Sequence, residues 1–96
     1  MSINELRRAV RRLEQRTKRA KQRLALHTFR MVLEGYDVPT IRETCRVVDI
    51  MSYEAAGMRS RYFTLYRSEQ LLVQQLQRVK AQLTRQVEQQ KLAEKA

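Results

Sequence analysis

Glu34-Gly35-Tyr36-Asp37-Val38-Pro39-Thr40-Ile41-Arg42-Glu43 holds the only proline and one of the two glycines of a 96-residue chain, and it separates two long stretches of helical periodicity. Gly35 can take the left-handed conformation that closes a helix, and Pro39 forbids an uninterrupted backbone ladder. A turn is therefore expected over 34–39. Thr40 with Glu43 three residues on has the form of a capping box, so a new helix is expected to begin at Thr40.

Upstream of the turn, Ile3, Leu6, Val10, Leu13, Thr17, Ala20, Leu24, His27 and Met31 recur at alternating spacings of three and four, which is a heptad seam. Ser2 and Glu5 form a second capping box at its start, and the spacing predicts a helix over 2–33. Ala25, Leu26, Phe29, Val32 and Leu33 add apolar groups off the seam, so this end is expected to be buried on more than one side. Downstream, Ile41, Val48, Ala55, Tyr62, Glu69, Leu76 and Leu83 fill one seam position, and Thr44, Met51, Met58, Leu65, Leu72 and Val79 fill the other. One register through all of them predicts a helix over 40–92. Gly57 costs ~1 kcal/mol inside a helix, and Asp49 or Ser52 could cap a fresh start. The alternative is thus a break at 52–57 and a three-helix arrangement.

The expected fold is all-α: one helical unit over residues 1–96, built as an antiparallel, coiled-coil-like hairpin with a long second helix. Two glycines and one proline cannot supply the frequent turns of an all-β chain, and the length is too small for two independent cores. A short turn would place residue i opposite residue 73 − i. Glu69, a carboxylate on an apolar seam, would then sit beside Arg7 or Arg8 and pair with it. Leu72, Leu76, Val79, Leu83 and Val87 would run on for ~35 Å with nothing from the first helix to cover them. A homodimer through this C-terminal stripe is the expectation that follows.

Charge points to the partner. Twenty Lys and Arg stand against ten Asp and Glu, a formal charge of +10. Ten of the basic residues fall in residues 1–30, with only Glu5 and Glu14 to oppose them. Arg7, Arg8, Arg11, Arg12, Arg16, Lys18, Arg19 and Arg23, spread over the polar faces of the first helix, suit neutralisation of phosphates. An apolar seam runs through this basic stretch, unlike the basic region of a leucine-zipper protein. Further along, Arg59, Arg61 and Arg67 are interleaved with Tyr62, Phe63 and Tyr66, a combination that can stack bases while holding phosphates. Packing of the aromatics against Leu6, Val10 and Leu13 is the simpler use of them, and the hairpin register would set these arginines beside Arg7 to Arg16.

Catalysis has little to work with. One His, one Cys, no glycine-rich phosphate loop and no paired carboxylates in an apolar context predict a protein that is not an enzyme, with no metal and no cofactor. His27 lies on the seam and reads as a packed histidine with a satisfied ring nitrogen. Cys45 reads as a small buried hydrophobe. No apolar run approaches a membrane span, the N-terminus lacks the apolar core of a secretory signal, and a lone cysteine forms no internal bridge. A cytoplasmic or other reducing intracellular compartment is expected. The functional expectation is a non-catalytic basic helical protein that binds nucleic acid, a small regulator or accessory factor. The alternative is a structural subunit, inhibitor or assembly chaperone that docks on an acidic protein surface.

Two local resemblances bear on this reading. Gly35-Tyr36-Asp37 followed by Thr40-Ile41-Arg42-Glu43 resembles the opening of the helix-turn-helix in tetracycline-repressor-type regulators over fewer than ten residues. Asp49-Ile50-Met51-Ser52 supplies no glycine for the tight turn expected next, and the heptad runs through it. Leu65-Tyr66-Arg67 is similar to the tripeptide near the start of a mitochondrial adaptor family, but here it lies two thirds along the chain. Neither carries a family assignment.

Overall fold

The computed structural model describes residues 1–47 and 57–95, and the side chains of all of these except 45–47. Every regular element among them is helical: α1 spans Ile3–Leu33, α2 spans Val38–Val47 and α3 spans Met58–Lys95. The chain divides into two compact units. One comprises Met1–Lys18 with Leu71–Ala96, and the other Arg19–Gln70. In each, a stretch of α1 packs against a stretch of α3, the all-α hairpin expected from the periodicity.

Local chemistry sets the helix ends. The Ser2 hydroxyl accepts the Glu5 N–H at 3.2 Å, and the Ser2 carbonyl accepts the Leu6 N–H at 3.0 Å. At the other end of α1, Gly35 has φ +90°, while Gly35 N–H bonds the Val32 carbonyl and Tyr36 N–H bonds the Met31 carbonyl. This is the paired-bond closure that a left-handed residue after a helix makes possible. The next helix starts earlier than the Thr40 capping box implies. Asp37 is the cap: its carboxylate accepts the Thr40 hydroxyl at 2.7 Å and the Thr40 N–H at 3.4 Å. Pro39 is tolerated in the first turn because its missing N–H would have had no helical partner there.

The single helix expected over 40–92 is interrupted. Gly57 has φ +71°, a left-handed conformation that cannot belong to a right-handed helix, and its carbonyl accepts the first α3 bond, from Arg61 N–H at 3.2 Å. The break alternative therefore holds at Gly57. Asp49 and Ser52, its other proposed elements, lie outside the described residues.

In the unit of Met1–Lys18 and Leu71–Ala96 the helices run antiparallel. Lys80 Nζ lies 3.7 Å from Glu14 Oε1, and Gln90 lines a cavity with Ser2, Ile3, Asn4 and Arg7. The 73 − i register had placed residue 59 opposite Glu14, so the pairing is displaced by about twenty residues. α2 lies in sequence between the paired helices, and the positive φ at Gly57 interrupts the single long second helix that the register assumed. Leu6 is fully buried and Thr17 nearly so. Leu72, Leu76, Val79, Leu83 and Val87 are all half-buried. The stripe thought to lack intrachain cover thus shares a compact unit with the first half of α1.

The unit of Arg19–Gln70 carries the larger core. Leu24, Met31, Val38, Ile41 and Tyr62 are buried together, with Tyr36, Met58, Leu65 and Tyr66 packed around them. Fully burying a side chain of this size contributes roughly 1.5–3 kcal/mol. Tyr62 and Phe63 were expected against Leu6, Val10 and Leu13. Tyr62 instead packs on the C-terminal half of α1 and on α2, as the shifted register requires. His27 is buried, its Nε2 lying 2.8 Å from the Met58 carbonyl, which ties α1 to the first turn of α3 and agrees with the packed reading. Leu26, Phe29, Val32 and Leu33 were expected to be buried but are 56–70% exposed. Among the described residues the core takes the Leu24, His27 and Met31 face of α1, and the neighbouring apolar face is exposed.

Candidate nucleic-acid interface

Because Ile3, Leu6, Val10, Leu13 and Thr17 turn one face of α1 inward, the intervening basic residues are forced outward. Arg7, Arg8, Arg11, Arg12, Arg16 and Lys18 in the first unit, and Arg19 and Arg23 in the second, are all exposed. Among the described residues none of these eight takes part in an ion pair. Glu14, one of only two carboxylates near them in sequence, is engaged by Lys80, and that pair is itself half exposed. Such a contact is worth only about 0–1 kcal/mol.

The shifted register brings in residues that the sequence reading left out. Arg78, Lys80, Arg85, Lys91 and Lys95 belong to the same compact unit as Arg7 to Lys18 and are exposed. That unit therefore carries eleven Lys and Arg against four Asp and Glu. A charge count per helix face, made with the right alignment, would have found them.

Arg59, Arg61 and Arg67 are exposed too, but they lie in the other unit and not in the one that holds Arg7 to Arg16. Basic side chains are thus exposed in each unit. Arg59 stands over the Tyr36 ring, 5.6 Å from its centroid. The aromatics of this stretch are committed to packing: Tyr62 and Phe63 are buried, and Tyr62 stacks on Tyr66 with centroids 6.1 Å apart. Neither of the two buried rings offers a face to a base. Arg42 Nε donates to the Tyr62 hydroxyl at 3.0 Å, and this bond raises the Arg42 pKa above its ordinary value. Glu69 lines a groove with Lys21 and Arg42 in the second unit, while Arg7 and Arg8, its expected partners, belong to the first. The Cys45 side chain lies outside those described.

The turn that opens the helix-turn-helix resemblance is formed, since Gly35 closes α1 and Asp37 caps α2. The place where a tight turn and second helix would fall, 48–56, lies outside the described residues. Among the described residues no helix is long and apolar enough to cross a membrane. Compared with known proteins, the chain matches no family model, no curated protein sequence and no solved structure.

Proposed function

We propose that the protein is a non-catalytic nucleic-acid-binding protein, a small regulator or accessory factor. It holds a phosphate backbone with Arg7, Arg8, Arg11, Arg12, Arg16, Lys18, Arg19 and Arg23, while Arg59, Arg61 and Arg67 supply further charge. The observation that carries this reading is the excess of eleven basic over four acidic residues on one two-helix unit, with the α1 cations exposed and unpaired among the described residues. Flexible cations on a helix surface fix position on a backbone but do not read bases, so little sequence preference is expected.

Binding should be strongly salt-dependent, because each neutralised phosphate releases condensed counterions. Five or six contacts on duplex DNA give a slope of about −5 in log K against log salt. Fluorescence anisotropy with two duplexes of unrelated sequence and one single-stranded RNA, each over a salt series, tests this. Replacing Arg8, Arg12 and Arg16 together by Ala should flatten the slope by about 2.7 and leave the helical signal intact. Absence of binding to every probe at low salt, or binding indifferent to salt, refutes the proposal. Retention on polyglutamate in that case would favour docking on an acidic protein surface.

A further inference from the structure

In the unit of Met1–Lys18 and Leu71–Ala96 the two helices bury facing seams, and a period of about 3.6 residues per turn sorts the other side chains onto two flanks. The pairing of Glu14 with Lys80 fixes level and side together: residue i of α1 stands level with residue 94 − i of α3, and these two side chains share one flank. Gln90 lining one cavity with Ile3 and Asn4 agrees with that level.

The opposite flank differs in kind. On α1 it carries Arg8, Arg12 and Arg16, spaced four residues apart. On α3 it carries Gln86 and Gln82, which the register sets level with Arg8 and Arg12. All four lysines of the unit fall toward the Glu14 side, and of its four carboxylates only Glu5 falls on the arginine side. The three arginines are exposed and the two glutamines half-buried. Among the described residues none of these arginines has an ion pair, and neither glutamine amide has a hydrogen bond.

A guanidinium fork meets two phosphate oxygens with parallel bonds, whereas a glutamine amide both donates and accepts. A row of forks beside a row of amides suits a ligand that presents phosphates along one line and mixed donors and acceptors along the next. A polynucleotide strand does so with its sugar and base edges, while a string of carboxylates only accepts. Given the nucleic-acid reading above, on which this rests, we infer that one strand of the nucleic acid lies along the arginine and glutamine flank. Its phosphates meet Arg8, Arg12 and Arg16, and its sugar or base edges meet the amides of Gln82 and Gln86.

Charge placed on α3 tests the face. Gln82→Glu with Gln86→Glu sets two carboxylates level with Arg12 and Arg8. Gln77→Glu with Thr84→Glu alters the net charge of the same helix equally, at exposed positions on the Glu14 side. Fluorescence anisotropy of duplex and single-stranded DNA with the full chain, over a salt series, compares them. The first pair should raise Kd at least about tenfold at low salt and flatten the duplex slope by about 1.8, the loss of two phosphate contacts. The second should raise Kd by no more than about threefold, since exposed charges act weakly beyond a Debye length of ~10 Å. Gln82→Ala with Gln86→Ala changes no charge, so Kd should rise at least about fivefold through two lost hydrogen bonds, with the slope unchanged. Circular dichroism checks that each variant stays helical. Equal weakening by the two glutamate pairs, or a larger effect of the second, overturns the face while the nucleic-acid reading stands. Undiminished affinity in the alanine pair overturns the amide contacts. A parent chain that binds neither probe at low salt overturns the nucleic-acid reading and this inference with it.

Discussion

Thr17 holds a side-chain oxygen that is buried and has no hydrogen-bond partner, and its replacement by valine should stabilise the protein. Other helical threonines show what it forgoes. The hydroxyls of Thr28, Thr44, Thr64 and Thr84 each donate to the carbonyl four residues back, at 2.7 to 3.2 Å. Thr17 sits on the inward seam, 5% exposed, and makes no such bond. A buried hydroxyl left unmatched costs about 1–3 kcal/mol. Valine has the same branched shape and nearly the same helix propensity, and its extra methyl adds roughly 0.8 kcal/mol of burial. Allowing for incomplete desolvation, Thr17→Val should gain about 1–2 kcal/mol, which raises Tm by roughly 4–16 °C in a chain of this size. Urea unfolding followed by circular dichroism at 222 nm measures it, with hydrogen exchange to localise the gain to residues 1–18 and 71–95. Thr17→Ala, which loses the methyl as well as the hydroxyl, should gain less. A Thr17→Val protein no more stable than the parent would show that the hydroxyl has a partner and refute the reasoning.

Four further outcomes follow from the same geometry. Leu6→Ala removes a fully buried side chain and should cost about 2–5 kcal/mol, with amide exchange accelerated in the C-terminal part of α3 and not near residue 67, where the 73 − i alignment would put it. Gly35→Ala meets no atom within 4 Å but must hold φ +90°, so thermal unfolding should report a loss of about 1 kcal/mol that is purely conformational. His27→Ala takes away the contact with the Met58 carbonyl and leaves that group and a cavity behind, so chemical denaturation should show a loss of about 2–4 kcal/mol. A double-mutant cycle on Glu69 and Arg7 should give coupling indistinguishable from zero, while the exposed Glu14 and Lys80 pair should give no more than about 1 kcal/mol.

Helix class and most helix ends were legible in the sequence, because they depend on groups within a few residues of one another. The seam from Ile3 to Met31, the Ser2 cap and the Gly35 closure are local matters of spacing and of unpaired N–H and C=O groups. The outward aim of Arg7 to Arg23 follows from the same periodicity, so that part of the candidate site could be named without coordinates. Two local signals competed at the start of α2, where the Asp37 carboxylate capped the helix one turn before the Thr40 box.

Alignment of the helices was a different kind of quantity. A heptad seam repeats, so Glu14 can face residue 59 or Lys80 with similar apolar matching, and only the length of chain between the helices selects one. That length depends on whether Gly57 stays in a helix or turns left-handed, a choice worth about 1 kcal/mol locally that periodicity does not decide, and Gly57 has φ +71°. With that choice go the groove neighbours of Glu69, the cover over Leu72 to Val87, and the addition of Arg78 to Lys95 to the basic unit. The exposed face around Phe29 was likewise undecidable from periodicity. Apolar residues on two sides of a helix show that both sides seek cover, and only tertiary packing determines which side this chain covers itself.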